Sequence, residues 1–577
     1  MSTVNLRING IPVSVEKSST ILDATQKLHI NIPTLCYMKL QDGEHKNCPG
    51  SCRVCVVEVE GKKELAPSCI TQVREGMEVK THSHRAIEAR KTIVELLLSD
   101  HAEECLTCDK NGKCELQKIA ADLGIREITY KGEKSSYSTD FSNPAIKRDM
   151  SKCISCRRCV STCELVQDIG VLTPYNRGFE TSIAPSFELP FEEANCTFCG
   201  QCVAACPVGA LMEVSNTDEV WNELGNKDKY VVVQTAPAVR VALGEEFGFE
   251  PGTNITGKMV SVLKMLGFNK VFDTNVAADL TILEEASELI ERVKEKKNLP
   301  LFTSCCPAWV NYVENYYPEM IPHLSSCKSP HQMFGALVKK YYSEKIGIDP
   351  KNMVVVSIMP CTAKKYESNR TEMEVDGIRD VDYVLTTREL GQMVRNAGID
   401  VNAIEDEEFD SPFGVSSGAG DIFGSSGGVM EAALRTAYEW ITNTKLEKLD
   451  FEDVRGLDGI KEAAITLNGT EIKVAVANNL GNTRKVIEKI KNGEETYAMV
   501  EVMSCPSGCI GGGGQPYIKG NQDILKARMK AIYEEDKNKD LRKSHENEIL
   551  KNIYDSYLGE FNGKLAHKLL HTHYKAK

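Results

Sequence analysis

Two cysteine runs in the middle of the chain have the spacing of metal ligands. Each reads Cys-x2-Cys-x2-Cys-x3-Cys, and the second is followed directly by proline. The members are Cys153, Cys156, Cys159 and Cys163 in the first run, and Cys196, Cys199, Cys202 and Cys206 in the second. In this pattern three thiolates of one run hold a [4Fe–4S] cubane, and the fourth crosses to the other cubane. We therefore predict one cluster on Cys153, Cys156, Cys159 and Cys206, and another on Cys163, Cys196, Cys199 and Cys202.

A second group of cysteines lies near the N-terminus. Cys52 and Cys55 are separated by two residues, Cys69 follows, and Cys36 precedes them. A close pair of thiolates joined by distant ones favours a plant-type [2Fe–2S] cluster. Cys48 is a competing fourth ligand, but the spacing favours Cys36, which we predict together with Cys52, Cys55 and Cys69.

A histidine joins the third group, His101-x3-Cys105-x2-Cys108-x5-Cys114. One interpretation is a zinc site with three thiolates and one imidazole. The other is a [4Fe–4S] cluster with one histidine ligand, because imidazole also replaces thiolate at the iron of Rieske centres. Since iron–sulfur patterns lie on both sides of this group, we predict the cubane.

Composition excludes several classes of protein. The 577 residues carry a net charge of -13, which argues against a nucleic-acid-binding surface. No apolar run is long enough to span a bilayer, and the first residues lack the basic start and apolar block of a secretory signal. We therefore predict a cytoplasmic protein, in which 22 cysteines indicate metal binding rather than disulfides.

Four domains are predicted, in a multidomain α/β protein. Residues 1–80 alternate polar and apolar positions around the turn Asn9-Gly10, which favours a β-grasp domain like plant ferredoxins. Residues 81–135 are predicted to form a small helical domain with the His/Cys3 group. Residues 136–215 carry the repeated cysteine runs and are predicted to resemble a bacterial ferredoxin with two [4Fe–4S] clusters.

The fourth domain, residues 216–577, has a different pattern. Short apolar runs such as Tyr230–Gln234 and Val354–Ile358 alternate with helical stretches, which predicts mostly parallel sheets. Ligands in such sheets bind beyond the carboxyl ends of the strands. The tail, residues 523–577, is charged and helical, and we expect its charged residues to face solvent.

Three loops of this domain contain most of the remaining cysteines. They are Thr303–Trp309 (TSCCPAW), Met359–Glu367 (MPCTAKKYE) and Glu501–Pro516 (EVMSCPSGCIGGGGQP). Their four or five thiolates could converge on one further cubane. The run of four glycines either lets the backbone approach a bulky ligand closely or forms a flexible loop.

These loops closely resemble the three signature loops of the [FeFe]-hydrogenases. The resemblance covers the whole chain, and the N-terminal modules are similar to the large, monomeric, clostridial-type members that carry four accessory clusters. It implies an H-cluster, in which a [4Fe–4S] cubane is joined through a cysteine sulfur to a di-iron unit with CO, CN⁻ and a bridging dithiolate amine. The cubane ligands that it implies are Cys306, Cys361, Cys505 and the shared Cys509.

The resemblance also implies the surroundings of the cluster. Cys305 would bind no metal and would pass protons, and Lys364 would donate a hydrogen bond to a cyanide rather than lie at the surface. The pocket residues that it implies are Ala236, Pro237, Met359, Met503 and His331. The two methionines have an equally good interpretation as core residues. The chain departs from the family pattern at His331, Ala238, Ala308 and Pro506-Ser507.

A proton path is implied in the same way. It runs from Cys305 through Glu285, Ser325 and Glu288 to Arg292. Glu285, Glu288 and Arg292 lie at positions i, i+3 and i+7, so a helix would present them on one face. Without the resemblance, an exposed salt-bridged helix would be the better interpretation.

The predicted activity is a reversible hydrogenase, 2H⁺ + 2e⁻ ⇌ H₂, of the ferredoxin-dependent type. We expect one [2Fe–2S] cluster, three [4Fe–4S] clusters and the H-cluster, with ferredoxin or flavodoxin as electron partner and a maturation system for the di-iron unit. A hydrogen sensor with low turnover is one alternative. A pure electron-transfer subunit, like that of respiratory complex I, is another, but it leaves the three C-terminal loops unexplained.

Overall fold

The structure, a computed structural model, describes residues 2–47, 50–191, 193–467 and 469–577. Cys48, the competing ligand of the N-terminal site, lies outside the described residues. The chain divides into two compact units. The first comprises Met1–Val166, Gly170–Ala194 and Ala205–Met212, and the second comprises Gln167–Ile169, Asn195–Ala204 and Glu213–Lys577.

A five-stranded sheet forms the N-terminal part of the first unit. Its strands, in spatial order, are Ile11–Glu16, Thr3–Ile8, Glu78–Lys80, Val56–Val59 and Ala66–Pro67. The helix Ile21–Lys27 begins at Thr20, which forms a capping box with Asp23. Alternating residues of Thr3–Ile8 are buried, as the period-two pattern predicts, and they pack against the helix in one core.

The first unit also contains helices and a hairpin outside this sheet. The helices include His84–Ser99, Glu115–Asp122 and Arg158–Ser161. Strands Thr173–Tyr175 and Ser182–Ala184 form the antiparallel hairpin.

Buried polar contacts join the three predicted N-terminal segments within this unit. The Arg158 guanidinium donates to both Glu115 carboxylate oxygens, at 2.9 and 3.0 Å, and to the Tyr37 carbonyl at 3.1 Å. Asn47 donates to the carbonyls of Cys36 and Cys156. The boundaries near residues 80 and 135 remain predictions, but the segments on either side of them pack together.

Two four-stranded sheets organise the second unit. The first is fully parallel, in the order Lys270–Asp273, Tyr230–Thr235, Met353–Met359 and Tyr383–Thr386. The second has the order Leu301–Phe302, Met499–Met503, Thr470–Asn478 and Ile460–Leu467, and only its last pair is antiparallel. The mixed α/β class is therefore confirmed.

Helices cover these sheets. The longest are Asn275–Glu295, Gly428–Thr442 and Gln522–Asn538. The others of at least seven residues are Thr217–Gly225, Thr256–Met265, Pro307–Tyr316, Pro330–Leu337, Thr387–Asn396, Leu480–Lys491 and Lys564–Leu570. Asn275–Glu295 is buried over most of its length. None of the helices in the described ranges combines the length and apolar character needed to cross a membrane.

The expectation that the charged tail faces solvent is wrong for two residues of Gln522–Asn538. Arg528 is fully buried, where it binds both Glu245 carboxylate oxygens at 2.7 Å and the Ile510 carbonyl. Asp536 is also fully buried and binds Arg435. These side chains are paired with groups from distant segments, which sequence patterning within the tail does not reveal.

Candidate active site

One cavity in the second unit lies where four strands end. Strands Tyr230–Thr235, Leu301–Phe302, Met353–Met359 and Met499–Met503 lead directly into the segments that line it. The lining includes every pocket residue expected from the sequence, namely Ala236, Pro237, Cys305, Cys306, His331, Met359, Cys361, Lys364, Met503, Cys505 and Cys509. The three separated cysteine loops thus meet at one place, beyond the carboxyl ends of parallel strands from both sheets.

Four of these thiols form a donor set that fits an iron–sulfur group. Burial raises the pKa of Cys509 to about 12, and it also raises the pKa values of Cys361 and Cys505. Without a cation these thiols would stay protonated, whereas iron binds the thiolate and releases the proton. Cys306 donates from its thiol to the Ser504 hydroxyl at 3.3 Å and accepts from the Ser504 amide at 3.5 Å. The residues present therefore fit a cubane.

Lys364 points at the same cavity from a buried polar network. Its ammonium donates to the Cys305 carbonyl at 3.0 Å and to Glu367 Oε2 at 2.9 Å. Burial lowers the pKa of Lys364, but the Glu367 carboxylate offsets this effect and the net shift is upward. An ammonium at this position suits an anionic ligand in the cavity, because charge-assisted hydrogen bonds are the strong ones.

His331 completes this network. Its Nε2 lies 2.5 Å from Glu367 Oε2, which also accepts from Ser329 at 2.9 Å. Burial opposes ionisation of Glu367, but Lys364 and His331 lower its pKa to about 2. Burial and the nearby ammonium lower the pKa of His331 to about 4, so the ring is neutral. His331 therefore donates from Nε2 to Glu367 and accepts the Ser357 hydroxyl at Nδ1, 3.1 Å away.

The glycine run packs against protein backbone. A Cβ on Gly512 would lie 2.1 Å from the Pro360 carbonyl oxygen, and one on Gly511 would lie 2.2 Å from that of Pro506. Real Cβ atoms do not come this close, so these positions exclude side chains. The expected reason for the glycines, close approach to a bulky ligand, applies only to Gly512, which also lines the cavity.

The second cysteine run touches the loops around the cavity. Thr362 donates to the Phe198 carbonyl at 2.7 Å, and Gln201 donates to the Gly511 carbonyl at 3.0 Å. The Cys199 thiol is also close enough to raise the pKa of Cys505, after the larger effect of burial. A cluster on Cys196, Cys199 and Cys202 would thus lie beside the cavity.

The two cysteine runs share one backbone conformation. Ser155 and Arg157 flank Cys156 with φ of 49° and 61°, and Phe198 and Gly200 flank Cys199 with φ of 60° and 70°. The amides of Ser155 and Phe198 each donate to a cysteine Sγ two residues earlier, at 3.4 Å. Such turns aim amide groups at an anionic centre, which suits a cluster.

The N-terminal cysteines also meet. The Cys36 thiol lies within hydrogen-bond reach of Cys52 and Cys69, and chiefly the Cys52 contact lowers its pKa. Cys55 contacts Cys69 in the same way. The structure thus brings Cys36 to the other three thiols.

His101 is a buried imidazole without a partner. Neither ring nitrogen has a hydrogen-bond partner among the residues that the structure describes. Burial lowers the pKa of His101, so the ring is available in the neutral form that binds metals. An orphaned neutral imidazole fits a ligand of the His/Cys3 site.

The expected proton-path residues lie on or beside the buried face of the Asn275–Glu295 helix. Ser325 donates to Glu288 Oε2 at 3.1 Å, and Arg292 donates to Glu288 Oε1 at 2.6 Å. Glu285 is 1% exposed, and its carboxyl oxygens make no hydrogen bond of normal geometry in the described part of the chain, but the Ser325 hydroxyl is close enough to lower the pKa of Glu285 against the larger effect of burial. An exposed salt-bridged helix is therefore the wrong description of Glu285 and Glu288.

Glu285 should make stability depend on pH. Burial raises its pKa from 4.5 to about 8, so the folded chain keeps a proton that the unfolded chain loses. This contribution to stability is complete below the ordinary pKa and is lost as pH rises towards 8. Glu285→Gln removes the titration. We expect the thermal midpoint of the variant, relative to the unmodified chain, to be higher by several degrees at about pH 8 than at about pH 5. An equal difference at both pH values would contradict this assignment.

Several residues of the site were not singled out from the sequence. They are Thr274, Ala278, Pro330, Phe423 and Ser504 on the cavity wall, and Ser329, Ser357 and Glu367 behind it. Only Ser504 and Glu367 carry a sequence signal, because they lie within the cysteine loops. The others come from segments whose proximity depends on the fold.

The cavity, its cysteine thiols and the cysteine runs define an iron–sulfur oxidoreductase. Family models match nearly the whole chain. They describe a 2Fe-2S iron-sulfur cluster binding domain (residues 1–84), an NADH-ubiquinone oxidoreductase-G iron-sulfur binding region (90–129) and a 4Fe-4S dicluster domain (152–210). The C-terminal half matches the iron only hydrogenase large subunit, C-terminal domain (229–513), and the iron hydrogenase small subunit (522–577).

Comparisons with individual proteins indicate the same family. The chain is 52% identical to the NADP-reducing hydrogenase subunit HndD of Solidesulfovibrio fructosivorans, covering 100% of this chain and 99% of that one. It is 41% identical to iron hydrogenase 1 of Clostridium pasteurianum, covering 98% and 99%. An [FeFe]-hydrogenase structure from Chlamydomonas reinhardtii is 46% identical over 63% of this chain and 99% of its own, with a TM-score of 0.57. The chain belongs to the [FeFe]-hydrogenase family, with iron–sulfur clusters and an H-cluster.

Proposed function

We propose that the cavity is where this chain interconverts protons and H₂, with Cys306, Cys361, Cys505 and Cys509 as the cubane ligands. The observation that carries this proposal is the meeting of four cysteine thiols, Cys305 and the Lys364 ammonium on one cavity. When bound, the H-cluster supplies the metal site at which two protons and two electrons become H₂. The chain supplies a closed apolar pocket, a fixed positive charge and a route for protons.

The proposed proton route uses residues on the Asn275–Glu295 helix. Cys305 exchanges protons between the cavity and Glu285, which is neutral at physiological pH and therefore has a proton to give. Ser325 links Glu285 to Glu288. Arg292 stays protonated, since guanidinium does not deprotonate in proteins, so its role is to hold Glu288 through the 2.6 Å ion pair.

The accessory sites are proposed to hold four clusters. The [2Fe–2S] ligands are Cys36, Cys52, Cys55 and Cys69, in a β-grasp domain, and the His/Cys3 cubane ligands are His101, Cys105, Cys108 and Cys114. The two remaining cubanes use the ligand sets expected from the cysteine runs. With the H-cluster, the matured chain would carry about 20 iron atoms.

The electron partner is proposed to be a nicotinamide-reducing subunit of a cytoplasmic complex. Its support is the 52% identity, over both full lengths, to a subunit of an NADP-reducing hydrogenase. Leu106, between two cysteines of the His/Cys3 site, is 91% exposed and suits a protein contact. A monomer served by ferredoxin or flavodoxin, the partner expected from the sequence, is the second candidate.

Hydrogen turnover of the matured chain, driven by reduced methyl viologen, tests the function. We expect turnover of about 1–10³ s⁻¹, as is typical of enzymes. Cys361→Ala should abolish it and lower the iron content, because the variant removes one cubane ligand. Normal iron content with turnover orders of magnitude slower would favour the sensor alternative, and unchanged activity in Cys361→Ala would refute the ligand assignment.

Purification of the chain from its own host tests the partner. If the chain belongs to such a complex, we expect a second subunit to co-purify with it and the complex to reduce NADP⁺ with H₂. Leu106→Glu should weaken both, while viologen-driven turnover is kept. Ile346→Glu is a matched control, because Ile346 is also exposed but lies in the second unit. Isolation as a monomer that exchanges electrons with ferredoxin alone would overturn the complex.

A further inference from the structure

A second group of buried polar residues is attached to Glu288. The Ser326 hydroxyl lies 3.3 Å from Glu288 Oε2 and 2.8 Å from His571 Nδ1. His571 Nε2 lies 3.0 Å from Glu284 Oε2. The proton route described above does not use Ser326, His571 or Glu284. Their contacts nevertheless form a chain that begins at Glu288, a carboxylate of that route.

Hydrogen bonding shows which protonation states this group can hold. Glu284 accepts from the Tyr554 hydroxyl and from the Asn562 amide, so it is an acceptor for His571 as well. The Ser326 hydroxyl has one proton and two acceptors within reach, Glu288 Oε2 and His571 Nδ1. If it donates to Glu288, His571 is protonated and donates from both ring nitrogens; if it donates to His571, the ring is neutral and donates only from Nε2 to Glu284. The geometry thus accommodates both charge states of His571, as a residue that stores and releases a proton requires.

We propose that His571, held by Glu284, is a proton-storing residue of the hydrogenase and supplies Glu288 through Ser326. The proton on His571 Nδ1 moves to Ser326 Oγ while the Ser326 hydroxyl proton moves to Glu288 Oε2. One N–H bond and one O–H bond break, two O–H bonds form, and no electrons are transferred. His571 then remains as a neutral ring that still donates from Nε2 to Glu284. This inference rests on the proposed role of Glu288.

The choice of a histidine has a chemical reason. Each turnover consumes or releases two protons, and the other partner of Glu288, Arg292, cannot give one up. Imidazole is the side chain that ordinarily changes charge between about pH 5 and pH 8. Such a group beside Glu288 can take up and release a proton, which Arg292 cannot do.

An exposed histidine beside His571 links it to solvent. The exposed ring of His567 stacks on His571, with centroids 4.6 Å apart and an interplanar angle of 2°. Burial lowers the pKa of His567, and the charges of His571 and His573 lower it further. The other titratable groups near His571 are Glu284, Glu288, Tyr554 and Cys327.

The pH dependence of viologen-driven H₂ evolution tests the proposal. We expect the pH profile of the unmodified enzyme to contain a step that His571→Gln loses, because an amide keeps hydrogen bonds but stores no proton. Ser326→Ala should lose the same step while keeping His571 in place. The double variant should lose no more than either single variant. His573→Gln, an exposed control two residues away, should keep the step.

A second readout does not depend on turnover. In the full chain labelled with ¹³C-histidine, the NMR titration curve of His571 should shift in Glu288→Gln, and this shift should shrink in the Ser326→Ala background. An unchanged pH profile in His571→Gln would overturn the proposal that His571 stores a proton. So would an NMR titration curve of His571 that stays the same in Glu288→Gln. Full H₂ turnover in Glu288→Gln would instead overturn the proposed relay itself.

Discussion

Cys305→Ala is expected to lower H₂ turnover by about 10²–10⁴-fold, the ordinary contribution of a positioned proton-transfer group. Cys305 lines the cavity next to Cys306, a proposed ligand, and Glu285 is close enough to raise the pKa of Cys305, after the larger effect of burial. Alanine leaves the four proposed ligands untouched. The measurement is viologen-driven turnover together with iron content, and the iron content should not change.

Cys327→Ala is the matched control for this prediction. Cys327 is another thiol of the second unit, but it is fully buried in the hydrophobic core and does not line the cavity. Its loss should leave turnover within about threefold of the unmodified enzyme, with a stability cost of about 1 kcal/mol. Loss of iron in Cys305→Ala would mean that Cys305 is a ligand, and retained turnover would exclude its role in proton transfer.

Glu367→Gln is expected to cost about 3–5 kcal/mol of unfolding free energy, the usual effect of removing one partner of a buried ion pair. Glu367 Oε2 accepts from Lys364, His331 and Ser329. A neutral amide leaves the Lys364 ammonium without its counter-ion. Tryptophan fluorescence during thermal unfolding measures the effect, since Trp221, Trp309 and Trp440 all lie in the second unit.

Two controls separate the buried charge from a general effect of substitution. Glu548→Gln breaks an exposed ion pair with Lys551 and should cost less than about 1 kcal/mol. His331→Gln retains an amide that can donate to Glu367, so it should cost less than about 1.5 kcal/mol. If Glu367→Gln were as mild as Glu548→Gln, the network would not fix Lys364.

Ligand candidates could be predicted from the sequence because cysteine spacing carries the geometry of a cluster. Strands such as Tyr230–Thr235 and Met353–Met359 could also be predicted, because a short apolar run is typical of a strand that is buried on both faces. The resemblance predicted that Cys306, Cys361 and Cys509 lie close together. The physical reason is that parallel strands of both sheets have their carboxyl ends at one cavity.

Contacts between distant segments could not be predicted in this way. The bond from His331 to Glu367 joins residues 36 positions apart, and Arg528 reaches Glu245 across 283 positions. Neither pair leaves a periodic pattern, so the buried charges of the tail were expected in solvent. The glycine run was recognised, but its backbone partners, the carbonyls of Pro360 and Pro506, become visible only in the fold.

Infrared spectroscopy of the matured enzyme tests the central claim most directly, because CO and CN⁻ stretching bands are specific to the di-iron unit. The cavity lined by Cys306, Cys361, Cys505, Cys509 and Lys364 predicts these bands, and Lys364→Met should shift the CN⁻ bands by removing a hydrogen-bond donor. Protein that carries its full iron content after maturation but shows no CO or CN⁻ bands would contradict the assignment of this cavity as the site of H₂ chemistry.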